Sequence, residues 1–333
     1  MRAVLLTRHG DLDALEVVAD HPDPEPGTGE VLVRVLACAL NNTDINTRVG
    51  WYAQTDDDAG AWGGALRFPV IQGADVCGDI VAVGDGVDPG RVGERVLVDP
   101  WVRGAPGDLE AAGYLGSEHP GGYAELLVVP AGNAHRVSGR LTPVEYASFP
   151  TAAGTALDML RRAALAAGET VLITGASGGV GGYAVQIARA LGATPIAVCD
   201  AAKAEGVLAL GAERVLDRDA DIDVRVDVVA DVVGGPRWPQ LIEALRRGGR
   251  YVVSGAIGGP IVELDLRSLY LEDRVLIGAT ITEPEVFAEL VALIEAGAIR
   301  PTVAATFPLE AIHDAQRAFM EKRFVGKIVL GVA

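Results

Sequence analysis

"TVLITGASGGVGGYAVQIA", residues 170–188, is the stretch on which the reading of this chain turns. It opens as a short apolar run of strand length. The run meets Gly175, Gly178, Gly179 and Gly181, and a helical pattern follows. Glycines in such a turn let the backbone reverse sharply, approach a pyrophosphate and pack helix against strand, and the free N–H groups of the helix start hold phosphate oxygens. A glycine-rich motif alone is a weak signal. Here it sits between a strand and a helix, and Asp200, 19 residues past Gly181, ends the next strand, where a carboxylate meets a ribose hydroxyl. Turn and acid together indicate a bound dinucleotide.

Two other readings use the same letters. Gly175 to Gly179 matches G-x-S-x-G, which would make Ser177 a nucleophile with His313 as one candidate base. Four glycines are more than that elbow needs, and Asp200 would have no role. Thr174 to Gly181 also fits the short-chain dehydrogenase pattern T-G-x-x-x-G-x-G. That pattern requires a Tyr-x-x-x-Lys pair downstream, and Tyr183, Tyr251 and Tyr270 are not followed by Lys at the fourth position. Both readings are set aside.

Outward from the turn, strands and helices alternate. Helices are predicted over 154–168, ending at Gly168, and over 181–192, 202–211, 238–249 and 285–297. Strands are predicted over 170–175, 195–200, 226–234, 250–256 and 275–281. This spacing means βαβ units and a doubly wound parallel sheet. Before residue 150 the pattern is of short strands broken by turns, at 30–37, 78–84, 93–99 and 123–130, with "HPDPEPGTGE" (21–30) as an exposed turn. The tail "PLEAIHDAQRAFMEKRFVGKIVL" is a helix and a strand outside the alternation, expected to return to the first domain. The expected fold class is α/β, with a β-rich domain at 1–150, a dinucleotide-binding domain at 151–282 and a C-terminal return at 283–333.

The chain has 333 residues, enough for two domains; half are hydrophobic and only 5% aromatic, so the core is mainly aliphatic. A net charge of −17 repels phosphate backbones and anionic membranes, which argues against nucleic-acid and membrane partners. The N-terminus lacks a signal-peptide pattern and no uncharged apolar run approaches the roughly 20 residues of a membrane span. A cytoplasmic protein acting on a small molecule is expected. Cys38, Cys77 and Cys199 are scattered and read as small hydrophobes within strands.

One polar stretch stands out. "ALNNTDINTRVGWY" (39–52) follows an apolar run and reads either as a solvated loop or as the floor of a site. Taken with "AGTAL" (153–157), "ASGGVG" (176–181) and "VGKIVL" (325–330), the chain resembles the medium-chain dehydrogenase/reductase superfamily over nearly its whole length. The resemblance implies a GroES-like substrate domain built from the first part and the tail, a Rossmann domain, and a cofactor cleft between them. The positions of the catalytic zinc ligands in that superfamily correspond to Asn41, Ala74 and Thr151, and residues 99–122 hold none of the four cysteines of its structural zinc lobe. No metal is therefore expected. His119 has no partner ligand and reads as a turn residue.

Within the superfamily, "NNTDINTRVGWY" resembles the N-P-x-D and G-x-Y motifs of quinone oxidoreductases and mitochondrial 2-enoyl thioester reductases, with Asn42 in place of the usual proline. The resemblance implies that Asn41 and Tyr52 face nicotinamide and substrate. Asp44 reads as a structural cap. Thr155, Ser177, Gly178, Gly179, Val180, Gly181, Ser254, Gly255, Ala256, Gly278, Ala279 and Thr280 are expected along the cofactor, again by resemblance. Asp200 favours NAD(H) because a carboxylate repels a 2′-phosphate. Lys203 and Arg218 pull toward NADP(H), and the balance leans slightly to NAD(H).

Without a metal, hydrogen-bond donors must polarise the carbonyl, which suits a conjugated acceptor whose charge delocalises. The expected activity is a zinc-independent NAD(P)H-dependent reductase of an enone, enoyl thioester or quinone. The alternatives are a zinc-free alcohol dehydrogenase or ketone reductase, and a non-catalytic NAD(P)H-binding protein. The apolar edge at 275–281 is expected to pair across a homodimer. The loop 53–68, with Trp62 and Phe68, reads either as a substrate lid or as an acidic surface loop.

Overall fold

The computed structural model describes residues 1–52, 66–104 and 111–332. The chain forms two compact units. One comprises Met1–Thr151, Val303–Arg323 and Lys327–Ala333; the other comprises Ala152–Thr302 and Phe324–Gly326. The strands that position the site are, in chain order, β1 (Glu30–Ala39), β2 (Asp75–Val83), β3 (Arg95–Val98), β4 (Leu126–Pro130) and β5 (Ala134–Arg136). Next come β6 (Thr170–Ile173), β7 (Thr194–Cys199), β8 (Arg214–Asp217), β9 (Val226–Asp231), β10 (Leu245–Val253) and β11 (Val275–Gly278). β12 (Val303–Pro308) and β13 (Lys327–Gly331) close the chain. The helices used below are α1 (Asn42–Val49), α2 (Pro150–Arg162), α3 (Gly179–Ala190) and α4 (Pro284–Glu295).

The first unit is built on a seven-stranded sheet in the order β5-β3-β2-β1-β13-β12, with β4 also paired to β1. Val31, Val33 and Val35 of β1 are buried in alternation, as a strand with one core face requires. Its end, Ala37 to Ala39, is buried on both faces, and there β13 runs antiparallel with Leu330 opposite Cys38. The weak alternation in the sequence thus marks a strand enclosed at one end. The tail does supply β12 and β13 to this sheet.

The second unit carries a six-stranded sheet in the order β8-β7-β6-β9-β10-β11, every neighbouring pair parallel. The order reverses between β6 and β9, the switch point where doubly wound sheets take their ligand. Leu172, Val229, Leu241, Ile242 and Tyr251 pack in a core on this sheet.

Three expectations need correction. The helix placed at 154–168 spans Pro150–Arg162, and the chain leaves it at Ala164, which has φ +47°. The helix at 238–249 stops at Ala244 and Leu245 already starts β10; β8 was not anticipated, because "RVLD" is too short and too charged to register as a strand. The return to the first unit begins at Val303 rather than 283, since Val286, Phe287, Leu290 and Ile294 bury the face of α4 within the second unit. No helix among the described residues is long and apolar enough to cross a membrane.

Candidate active site

The candidate residues of the first unit begin where β1 ends. Leu40 N–H donates to the Ile328 carbonyl (2.9 Å), which ties the end of β1 to β13. Asn41 follows in an extended conformation as the N-cap of α1. Its backbone N–H donates to Asp44 Oδ2 (2.7 Å), and Gln72 Nε2 donates to the Asp44 carbonyl (2.8 Å). Asp44 is 4% exposed. Burial pushes its carboxyl up to about 6, against the opposing pull of the Asn41 N–H. Asp44 therefore caps the helix, as its spacing indicated. α1 closes at Gly50, left-handed at φ 74°, and Tyr52 comes next but one. Asn46 Nδ2 donates to Tyr52 Oη (3.1 Å), and burial raises the Tyr52 hydroxyl above its ordinary value. Trp51 is exposed. Trp62 and most of the loop 53–68 lie outside the described residues; Phe68 is described and packs edge-on against His9 at 4.8 Å.

The Asn41 side chain is 7% exposed and sits in a chain of polar contacts. Its Oδ1 accepts from Lys327 Nζ (2.5 Å), which also donates to Asp75 Oδ2 (2.9 Å). Asp75 Oδ1 accepts the Thr151 N–H (2.7 Å), and Thr151 Oγ1 lies 2.7 Å from the Tyr114 hydroxyl. Asp75 is fully buried, and Lys327 and Tyr114 are 2% and 4% exposed. Asn41 Nδ2 is buried and has no hydrogen-bond partner among the described residues. Sequence reasoning singled out Asn41 but not the residues grouped with it, Lys327, Asp75 and Tyr114. The available signal was a charge inside each of two apolar strands: Lys327 opening "KIVL" and Asp75 opening "DVCG".

These residues do not fit a zinc ion. Asn41, Ala74 and Thr151 offer an amide, a methyl and a hydroxyl, and an ammonium already faces the amide oxygen. Zinc takes thiolate, imidazole or carboxylate donors. All three cysteines are buried, and desolvation pushes the Cys38 thiol well up, that of Cys77 to about 12 and that of Cys199 upward. None is poised as a thiolate. Among the described residues no group of three His, Cys, Asp or Glu could hold a metal ion.

The second unit holds the glycine turn. Gly175 has φ +58°, and Gly178 caps α3. A Cβ on Gly181 would stand 2.4 Å from the Gly175 carbonyl oxygen and 2.7 Å from Ala176 Cα, so α3 seats on the turn only with glycine there. Gly178 is exposed, and Ser177, Gly179 and Val180 are half-buried, which leaves the start of α3 open to a phosphate. Asp231, fully buried, was not singled out from sequence. It accepts from Thr174 Oγ1 (2.5 Å), Tyr251 Oη (2.6 Å) and the Val233 N–H (2.8 Å), and so joins the ends of β6, β9 and β10.

Asp200 ends β7. Its Oδ1 accepts the Ala202 N–H (2.9 Å), and its Oδ2 lies 3.4 Å from the Arg218 guanidinium. Lys203, three residues on, is half-buried, and Arg218 is largely exposed. Ser254 to Ala256 follow β10, and Gly278 to Thr280 end β11; Ala279 N–H donates to the Val253 carbonyl (2.9 Å). In a parallel sheet these segments, the glycine turn and Asp200 all fall at the carboxyl edge. Thr155 is half-buried on α2. An open helix start, a glycine cradle and an acid on that edge fit a nicotinamide dinucleotide. His313, the candidate base of the nucleophile reading, is held at Nε2 against the Leu15 carbonyl (3.2 Å).

With this geometry in place, comparison with known proteins is direct. Residues 27–139 match the alcohol dehydrogenase GroES-like domain, and residues 210–330 match the zinc-binding dehydrogenase family. The acryloyl-coenzyme A reductase of Metallosphaera sedula is 31% identical over 330 residues, covering 94% of this chain and 95% of that protein. The chain belongs to the medium-chain dehydrogenase/reductase superfamily. The quinone oxidoreductase of Lama guanicoe is 28% identical over 349 residues, covering 99% of this chain and 97% of that one. The crystal structure of a Sinorhizobium meliloti protein proposed to be an alcohol dehydrogenase superposes with a TM-score of 0.94 at 48% identity, covering 99% of this chain and 96% of that one. Within the superfamily the chain falls in the quinone oxidoreductase and enoyl reductase-like branch, and it is an NAD(P)H-dependent oxidoreductase of the medium-chain type.

Proposed function

We propose that this enzyme is a zinc-independent reductase of conjugated carbonyls, of the enone, enoyl thioester or quinone class. One observation carries the proposal. Asn41, which the family resemblance sets at the position of a zinc ligand, is a buried amide whose Nδ2 donor has no acceptor among the described residues. A buried N–H group left unpaired costs about 1–3 kcal/mol, a cost that an acceptor on a bound substrate would relieve. A nicotinamide cofactor, held by the glycine turn and the segments at the carboxyl edge of the second sheet, would supply the hydride. Asn41 Nδ2 donates to the substrate carbonyl oxygen as it gains charge, and the Tyr52 hydroxyl acts as second donor. Tyr52 stays protonated near neutral pH because burial raises it, so it donates rather than accepts a proton. Neutral donors stabilise a delocalised enolate or quinol oxygen more readily than a localised alkoxide, and that favours the conjugated class.

For the cofactor we propose a modest preference for NADH. Asp200 presents its carboxylate at the end of β7, and the nearest guanidinium, Arg218, is already paired with it. A second reading, a zinc-free ketone reductase or alcohol dehydrogenase, is supported by the 48% identity to the Sinorhizobium meliloti protein. The test is loss of the reduced-nicotinamide absorbance with EDTA present, with NADH or NADPH and, in turn, a quinone, an enone, an enoyl thioester and a plain ketone. Turnover confined to the conjugated acceptors is expected. Turnover of the ketone alone would give the second reading. Tight cofactor binding with no turnover of any acceptor would overturn both.

A further inference from the structure

We infer that Lys327 is a positioning residue that supplies this site with its cation: its buried ammonium fixes and polarises the Asn41 amide so that Nδ2 is presented to the substrate oxygen. The inference rests on the reading of Asn41 as the substrate's hydrogen-bond donor.

The first strand of the argument is the cost of the arrangement. Lys327 opens a strand whose next three residues, Ile328, Val329 and Leu330, are buried and apolar. Placing an ammonium there carries a desolvation cost, and Asp75 offsets part of it as a counter-ion at 2.9 Å. A buried ion pair adds little net stability over apolar residues of the same size, so packing does not account for it. The pair does something else that an apolar pair would not: its cation reaches past Asp75 to Asn41.

The second strand is direction. An ammonium has three donors and no acceptor. It can face only the oxygen of a carboxamide, so the 2.5 Å contact sets which end of Asn41 is which. Oδ1 is turned toward Lys327, and Nδ2 is turned away. The Asn41 backbone is held separately, its own N–H by the Asp44 carboxylate and that of neighbouring Leu40 by the Ile328 carbonyl on β13, which fixes where the side chain starts. Asp75 is itself held by the Thr151 N–H, so the ammonium has a fixed seat.

The third strand is polarisation. A charge-assisted bond to an amide oxygen draws electron density from the nitrogen, and serial hydrogen bonds strengthen one another in a low-dielectric site. The N–H groups of Asn41 thereby become better donors toward a developing oxyanion. Lys327 does not touch the substrate; it acts through Asn41.

The test is Lys327→Met, which keeps the length of the side chain and removes the charge, alongside Asn41→Ala and the double variant. On whichever acceptor the wild type reduces, Lys327→Met is expected to lower kcat about 100-fold, the scale of losing one oxyanion donor. The Kd for NADH should stay within about twofold of wild type by fluorescence titration, because the nucleotide contacts lie elsewhere. The double variant should be no slower than the slower single variant, since both remove the same donor. Independent effects that multiply would overturn the inference. If Lys327→Met does not fold because it leaves Asp75 as a buried charge without its counter-ion, Lys327→Met with Asp75→Asn removes both charges and takes the same tests. A second readout does not depend on turnover. The side-chain 15N–1H pair of Asn41, assigned by its loss in Asn41→Ala, should shift in Lys327→Met, while that of Asn133 should not. An unmoved Asn41 signal would overturn the inference even in an active enzyme. A shifted signal in a protein that reduces none of the acceptors would uphold Lys327 as the group that sets the amide and would reject the functional reading instead.

Discussion

Tyr52 is one hydroxyl, and its environment fixes which way it can act. Asn46 Nδ2 donates to Oη, and burial keeps the phenol protonated, so the proposed role of Tyr52 is that of a donor rather than a base. Tyr52→Phe should lower kcat about 10- to 100-fold with little change in KM, read by steady-state nicotinamide absorbance. Unchanged rates would remove Tyr52 from the mechanism. Asp44 gives a pH signature of a different kind. Its folded value is raised from 3.8 to about 6. Between those values the folded chain holds a proton that the unfolded chain has lost, so this group's contribution makes stability fall as pH rises through the window. At about 1.4 kcal/mol per unit the full effect is about 3 kcal/mol. Asp75 and Lys327 also face this carboxyl, the first raising and the second lowering it. Asp44→Asn should therefore flatten the denaturation midpoint between pH 4 and 6 relative to wild type; a variant curve parallel to the wild type would sink this account. Asp44 was legible as a cap because capping is a local event, whereas Asn41 and Tyr52 were singled out by the resemblance of the motif around them. Lys327 was not, because its partners lie 286 and 252 residues away and only the packing of β13 beside β1 brings them together.

At the scale of elements, the glycine turn is where sequence and structure agree most closely, because steric exclusion leaves one residue type. A methyl on Gly181 meets the backbone of Gly175 and Ala176, not a side chain that could swing aside. Gly181→Ala should cost about 1–3 kcal/mol as α3 shifts off the turn, and it should raise the Kd for NADH at least tenfold. Chemical denaturation and fluorescence titration measure both; an unchanged Kd would mean that this turn does not hold the cofactor. Asp200 sets preference rather than folding. Asp200→Ser removes the repulsion toward a 2′-phosphate and leaves the Arg218 guanidinium with Asp219 as its carboxylate neighbour, so the NADPH-to-NADH ratio of kcat/KM should rise at least tenfold. The alternation of strands and helices was readable because each βα unit repeats one hydrophobic period after another. The boundaries were less so. Ala164 enters the left-handed region with no glycine to announce it, and "RRGG" looks like a helix end although Arg246 and Arg247 already lie on β10. β8 has four residues and two charged ends, too few for periodicity to register.

At the scale of the whole molecule, the remaining question is what covers the outer strand of the six-stranded sheet. β11 is an edge, and Val275 and Leu276 on it are 48% and 37% exposed; Tyr270 and Leu271 just before it are 63% and 55% exposed. An apolar edge with unpaired N–H and C=O groups is a template for pairing, and closed two-fold symmetry uses the same patch twice. We propose a homodimer formed by β11 of two copies. Net charge opposes it: each chain carries −17, so the dimer would carry twice that, −34. The apolar edge must outweigh this repulsion, and because salt screens charges more than a Debye length apart, association should tighten as ionic strength rises. Light scattering after size exclusion should give about twice the 34.5 kDa of one chain, with the dimer persisting to lower concentration at 0.5 M salt than at 0.05 M. Leu276→Lys places a charge on the strand and should return the mass to that of one chain while the circular dichroism of the folded sheet is kept. A wild-type mass of one chain across all concentrations and salts would show that β11 remains an exposed edge, and the apolar residues along it would then need a different occupant.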